Sequence, residues 1–393
     1  KQNNKERIVI IIGGNHHNTL GVIRGLGRKG VRSHVIVTSG GEGSFVLKSK
    51  YIEKGYSVKG SQAAIVLLLE RYMDAAQKPI LIACHDVISS VIDLNLERLR
   101  KNFVVPGCAE QGRITYLMNK KVMGEEAKKY GLAIPKTYIL KSGSEDVESV
   151  TYPCITKPVE SMAGSKSEIH ICKKPEQLSS FLAKEPDKEY VVQQFVEKEF
   201  EFQLIGCSIA GGKDIVIPGY TEILRQPKTT NTGFLHYQAL NSSFDKTIDA
   251  TRNFIRGIGY SGLFSVEFLR DKQGVDYFME MNFRNDGNTI SVTNAGVTLP
   301  YIWYLSCIGE DYRQEIKPVH DEYVMPEFTE LALLQKCEIT IAQWWRDMRK
   351  ATCYMDYADD DPAPTDGWKR YNHLKWRVLA KHIVKRLIGR NEK

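Results

Sequence analysis

The stretch that decides the fold is Leu263-Phe-Ser-Val-Glu-Phe-Leu269 and, after Arg270, Val275-Asp-Tyr-Phe-Met-Glu-Met-Asn-Phe-Arg284. Both halves alternate polar with apolar residues, the period of a strand packed on one face. Between them Asp271-Lys-Gln-Gly274 ends on glycine and reads as a hairpin loop. Pairing Arg270 with Val275 sets Glu267 opposite Phe278 and makes Glu280 its diagonal neighbour, about 7–8 Å away across the strands. Alternation carries Asn282 and Arg284 to the same face. Two carboxylates, a carboxamide and a guanidinium therefore converge over Phe, Val and Met side chains that face a core. Two carboxylates with an amide oxygen are hard ligands of the kind Mg²⁺ takes, and Mg²⁺ offsets phosphate charge in phosphoryl transfer.

Upstream of the hairpin, lysines stand in apolar places. Lys157 ends Pro153-Cys-Ile-Thr-Lys-Pro158, a buried-strand pattern in which a lysine needs an anionic partner. Lys120 opens a helix after Met118-Asn119. Glu160-Ser-Met-Ala-Gly-Ser-Lys-Ser167 is a small-residue loop able to fold over phosphates with backbone N–H groups and Lys166. Val191-Val-Gln-Gln-Phe-Val196 reads as a hinge whose backbone groups can meet an adenine edge. The next residues alternate strictly, so Glu199, Glu201 and Gln203 share a face.

The first part of the chain differs in texture. Arg7-Ile-Val-Ile-Ile-Ile-Gly-Gly14 is a buried strand running into a turn, followed by a helix to about Lys29 and a strand Ser33–Thr38. This β-α-β start, continued by a helix near 61–76, a strand Ile80–Cys84 and a helix near 87–101, implies a parallel sheet. Gly25-Leu-Gly-Arg-Lys-Gly30 matches G-x-G-x-x-G but falls at the end of the helix. A dinucleotide fingerprint belongs at the strand-to-helix turn, so that reading is set aside. His16-His17 read as surface histidines. From Thr115 onward strands are dense and the region is α+β.

The chain has 393 residues, 54 Lys/Arg and 47 Asp/Glu, for a net charge of +7. Residues 368–393 hold nine Lys/Arg and one acid, so the other 367 carry 45 basic and 46 acidic groups. The basicity belongs to a tail, which excludes a nucleic-acid-binding body. Trp368, Tyr371, Trp376, Leu379, Ile383 and Leu387 recur in that tail at helical spacing, as in a basic amphipathic helix suited either to docking on the core or to an anionic membrane surface. Residues 356–367 read as an acidic, Pro-containing linker. The eight cysteines form no CxxC pair and read as reduced, buried thiols, which fits a cytoplasmic setting. No apolar run approaches the roughly 20 residues of a membrane span, and no signal-peptide pattern is visible.

Taken in order, these pieces resemble an ATP-grasp ligase over about residues 7–310. The carriers are Gly13-Gly14, Asn119-Lys120 where the family usually has Asp-Lys, Gly131-Leu-Ala-Ile-Pro135, Lys157, the glycine loop, Gln193-Gln-Phe-Val196, Lys198-Glu-Phe-Glu201, Glu267, and Glu280-Met-Asn-Phe-Arg284. The resemblance implies an α/β and α+β chain. A Rossmann-like front domain would span 1–112 and an ATP-grasp domain 113–325, with a lid of about 135–195 and a catalytic part of 196–325. A helical extension (326–355), the acidic linker (356–367) and the basic helix (368–393) would follow. It implies ATP and Mg²⁺ as cofactors, with Mn²⁺ able to stand in. Lys120, Lys157 and Lys166 would contact phosphates. Gln194, Phe195 and Val196 would line the adenine, and Glu199 or else Glu201 would bind ribose. Glu267, Glu280 and Asn282 would hold metal, and Arg284 would act with Lys157 in catalysis.

The activity implied is carboxylate–amine ligation through an acyl-phosphate, as in D-aspartate ligases, with an amino acid joined to a cell-envelope precursor as one version. Arg225, Lys228, Asn285 and Asp286 are candidate acceptor contacts. The expected partners are small-molecule carboxylates and amines; a homodimer, and contact with the inner membrane surface through 368–393, stay open. So do an ATP-grasp small-molecule kinase and a nucleotide-binding regulatory protein without turnover.

Overall fold

The structure is a computed structural model that describes residues 7–40, 43–141, 143–158, 170–184, 188–225, 233–335 and 338–366. The run around Ile10 forms the strand Val9–Gly13 at the heart of a four-stranded parallel sheet. Its neighbours are Ser33–Val37 and Ile80–Ala83, and Ile52–Ser57 lies outside Ser33–Val37. All five of its residues are buried, as a strand with helices on both faces must be. Val9 and Ile11 face one core, with Leu20 and Ile23 of the helix His17–Arg28. Ile10 and Ile12 face the other, with Leu68 of Ser61–Tyr72 and Ile88 of Asp86–Leu94. The turn into the first helix needs Gly13: a Cβ there would stand 2.2 Å from Thr19 Oγ1. Gly30, with φ +82°, lies beyond that helix's last turn, so the G-x-G-x-x-G match sits away from the strand-to-helix turn.

A smaller antiparallel sheet follows, in the order Thr137–Leu140, Tyr190–Gln194, Cys154–Pro158, His170–Cys172, covered by the helix Pro175–Leu182. The largest sheet runs Asp276–Asn282, Gly262–Asp271, Lys198–Ile209, Gly219–Arg225, Phe234–Ala239, Glu322–Met325, Cys353–Tyr354, with Asp214–Val216 paired to Lys198–Ile209. One face packs Phe202, Phe264, Phe268 and Phe278 against the helix Asp245–Ile258. The opposite face sends Ile205, Cys207 and Leu263 into the same core as Val9, Ile11 and the helix Leu299–Ile308. The parallel sheet and the central sheet thus share one apolar interior, and their mutual placement is fixed by packing.

Beyond residue 325 the expected helical extension is two helices, Glu327–Gln335 and Ile341–Lys350, and a two-residue strand that joins the central sheet. The expected linker is corrected over 356–366, which is docked rather than solvated. Arg24 and Asp361 pair at 3.0 Å with both side chains 1% exposed. Ser49 Oγ and the Lys50 N–H donate to the same carboxylate, and Arg28 pairs with Asp360 at 2.8 Å. Acids that read as solvated in sequence have partners more than 300 positions upstream. Residues 367–393, over which the basic helix is expected, lie outside the described residues, as do Lys166, its loop and Lys228. Seven cysteines are described and none is in a disulfide. Among the described residues no helix is long and apolar enough to cross a membrane.

Candidate active site

The decisive hairpin forms, with Gly274 at φ +81° in its turn and Asp271 Oδ1 accepting from the Gln273 and Val275 N–H groups. Its register differs from the expected one. Arg270 pairs with Asp276, Leu269 with Tyr277 and Phe268 with Phe278; a bulge then leaves Met279 unmatched and sets Glu267 directly opposite Glu280. In an unbulged ladder Glu267 would pair with Met279, and Glu280 would point to the opposite face. The bulge is what brings the two carboxylates together.

Burial, then the neighbouring Glu280 and Asp286, push the Glu267 carboxyl up to about 8. Glu267 Oε1 accepts from Gln203 Nε2 at 3.2 Å and from Asn282 Nδ2 at 3.3 Å. Among the described residues no three of His, Cys, Asp and Glu converge as metal ligands. The donor set is two facing carboxylates and the Asn282 carboxamide. Facing carboxylates in a half-buried setting repel, and a cation between them removes that cost; the set fits Mg²⁺ or Mn²⁺.

Lys120 reaches this pair, its Nζ 2.9 Å from Glu280 Oε2. It stands at the first position of the helix Lys120–Lys129, which Asn119 caps by accepting from the Lys121 and Val122 N–H groups. Asn and Asp cap equally well, so the departure at Asn119 keeps the helix start. The Lys120 ammonium is exposed, yet Glu280 holds its pKa above the usual lysine value. Lys157 comes from the smaller antiparallel sheet, with Gln193 Oε1 3.5 Å from its Nζ. Burial and the nearby Lys120 bring its pKa down to about 8. Two lysines from different elements therefore flank one glutamate pair.

The hinge is more committed than its sequence suggests. The Gln194 N–H donates to Lys136 O and the Phe195 N–H to Pro153 O, both at 2.8 Å. Those two donors are unavailable to an adenine edge. Val196 is buried and Phe195 is 37% exposed. Glu201 pairs with Lys198, while Glu199 is exposed.

Arg284 is held between the hairpin's end and the front domain. Its Nε donates to Asp86 Oδ1 at 3.0 Å and its Nη1 to Asp286 Oδ2 at 2.8 Å. Burial opposes its charge, but the two carboxylates win and raise its pKa. Asp86 opens the helix Asp86–Leu94, which His85 caps; His16 caps His17–Arg28 in the same way. The Nδ1 atoms of both rings accept backbone N–H groups, so the protons sit on Nε2. Burial and Arg284 lower both histidine pKa values, so the rings are neutral. His16 is solvent-exposed and yet lowered by burial, as a cleft-lining ring would be. His17, read as a surface residue, is 7% exposed and packs at Gly287.

Asn285 and Asp286, expected at a mouth, are 2% and 7% exposed. They tie the loop to Asn18, Ser265 and Asn288. Arg225, expected as an acceptor contact, is engaged by Glu330 and Asp347. Asp86 and His85 were missed. Their signal was position: with sheet order reversing between Val9–Gly13 and Ile80–Ala83, the loops after those two strands flank the crevice where α/β sheets bind ligands.

No family model matches the chain. It is 23% identical over 257 residues to a D-aspartate ligase of Enterococcus faecium, a match spanning 59% of this chain and 59% of that protein. In structure it is similar to the biotin carboxylase domain of the Hydrogenobacter thermophilus 2-oxoglutarate carboxylase, solved with MgADP, ADP and bicarbonate. That likeness has a TM-score of 0.63 at 17% identity and covers 81% of this chain and 74% of that one. An L-amino acid ligase from Bacillus licheniformis gives 0.60 at 15% identity, over 82% and 81%. By these likenesses the chain has an ATP-grasp fold with a Rossmann-like front domain.

Proposed function

We propose that the chain is an ATP-dependent, ADP-forming carboxylate–amine ligase that makes an amide through an acyl-phosphate. The observation that carries the reading is the Glu267–Glu280 pair, set face to face by a bulge, with Lys120 paired to Glu280 and Lys157 close enough to feel both Lys120 and Glu280. Sequence similarity to a D-aspartate ligase supports an amino acid as the carboxylate substrate.

A carboxylate is a poor electrophile at neutral pH, and ATP with Mg²⁺ supplies the phosphoryl group that makes it one. Glu267, Glu280 and Asn282 would hold the metal. Lys120 and Lys157 offset the charge of two anions brought together. Arg284 has a narrower part than a bare cation. With Asp86 and Asp286 on it, the group of three is net negative, so Arg284 contributes orientation and hydrogen bonds rather than neutralisation. Val196 and Phe195 would line the adenine, with Gln194 beside it, and Glu199 or Glu201 would meet the ribose. The crevice between His16, His85 and Arg284 suits the amine substrate: both rings are neutral and will not repel a protonated amine on arrival.

The test is ADP release with product mass spectrometry across panels of amino acids and amine acceptors. ADP should require both a carboxylate and an amine, with an amide as product, and should vanish in Glu280→Ala while the circular dichroism spectrum is kept. ADP formation by that variant at the parental rate overturns the assignment; a phosphate ester as the product makes the protein a kinase.

A further inference from the structure

The helix Ile341–Lys350 turns one face outward, and that face joins apolar to cationic side chains. Ile341, Ala342, Trp345, Arg346, Arg349 and Lys350 are exposed, while Gln343, Trp344, Asp347 and Met348 are half-buried. Exposed residues at i, i+4 and i+8 form two adjacent stripes on an α-helix. One carries Ile341 and Trp345, which are 75% and 53% exposed, large values for side chains of this type. The other carries Arg346 and Lys350, and Arg349 sits 5.6 Å from the Trp345 ring. No acid lies on this face. The helix's one acid, Asp347, points inward and pairs with Arg225 at 2.7 Å, which pins the helix to the central sheet. Thr340 Oγ1 caps its start, accepting from the Gln343 N–H at 3.1 Å.

We infer that this face docks the protein on an anionic lipid surface. Tryptophan and isoleucine reach the headgroup–acyl boundary, and the three cations meet lipid phosphates. A second copy of the same face would bring three cations against three. Residues 368–393, with nine Lys/Arg and one acid, would be repelled in the same way. A nucleic acid would use the cations but leave Ile341 wet. The anionic bilayer is the occupant that uses both stripes.

The experiment is cosedimentation of the full chain with vesicles of phosphatidylglycerol and phosphatidylcholine, and with phosphatidylcholine alone, at low and high salt. The chain should bind the anionic vesicles only, and less as salt screens the cations. Ile341→Ser with Trp345→Ser, and separately Arg346→Glu with Lys350→Glu, should each weaken binding by roughly tenfold or more. The control Val66→Ser, on the front domain and 54% exposed, should bind as the parent does. Thermal melting checks that both double variants stay folded. The inference is overturned if the parent does not bind, if it binds RNA in place of vesicles, or if either double variant binds undiminished, which would assign attachment to another segment. None of these residues lies in the candidate active site, so that failure would leave the ligase reading untouched.

Discussion

Lys157 offers the sharpest test of the nucleotide site, because its charge is unstable without a ligand. In the free protein burial and Lys120 lower its pKa from the ordinary 10.5 to about 8, with Glu280 opposing more weakly. That span corresponds to about 3 kcal/mol between the charged and neutral forms. A bound polyphosphate supplies the missing anion and returns the lysine toward its ordinary value. The sign follows. Below pH 8 the free lysine already holds its proton, and binding takes up little. Above pH 8 the free lysine is neutral and the bound one charged, so binding takes up a proton and weakens by about tenfold per pH unit, to a limit of roughly 300-fold. Calorimetric titration of MgADP in two buffers of different ionisation enthalpy measures the proton directly. The uptake of the parent less that of Lys157→Met, a difference that cancels the proton Glu267 gives up to the metal, should be near zero at pH 7 and close to one proton at about pH 9. Lys157→Met should bind weakly at both, leaving only the proton released by Glu267. Equal uptake in parent and variant at the higher pH, or none in the parent, would refute the argument.

Asp86→Ala should lower kcat by roughly 10- to 100-fold with KM for ATP little changed, since it frees Arg284 to move without touching the lysines. Steady-state kinetics on both substrates separates that outcome from general damage. Asp361→Ala leaves Arg24 charged and 1% exposed with no carboxylate, which should cost about 3–5 kcal/mol. The midpoint of urea unfolding measures it, and an unchanged midpoint would mean that residues 356–366 are not docked in solution.

Much of this fold was legible because its signals are local. The run Ile8–Ile12 has no reading but a buried strand, and the hairpin announces itself by alternation on both sides of Gly274. The strand Ile52–Ser57 was not legible, for a physical reason: as an edge strand it exposes Glu53, Lys54 and Gly55, so it lacks an apolar face to count. The register of the hairpin failed for another. A bulge moves one residue, Met279, and alternation alone cannot show where a period slips. The slip was worth more than the expected register, since a diagonal contact became a direct pair. Segment 356–366 was misread because buried charge looks like solvated charge until its partner is placed. Asp361 reads as a surface acid; only the fold sets Arg24 beside it.

His16, His85 and Asp86 carry the larger consequence. A front domain joined by a flexible linker could supply residues to a site only after closing on it. Here the front sheet and the central sheet share one core through Leu299–Ile308, and the helix beginning at Asp86 delivers its carboxylate to Arg284. The guanidinium is thus set by Asp286, two positions away, and by Asp86, 198 positions upstream. The sheet holding Lys157 packs its own separate apolar cluster around Leu178 and Val192. Such a division of labour suits a reaction whose activated carboxylate must be shielded from water. On the proposed reading, the shared core keeps the two carboxylates, Asn282 and Arg284 in register, and the separate sheet contributes Lys157, whose proton a bound polyphosphate would secure.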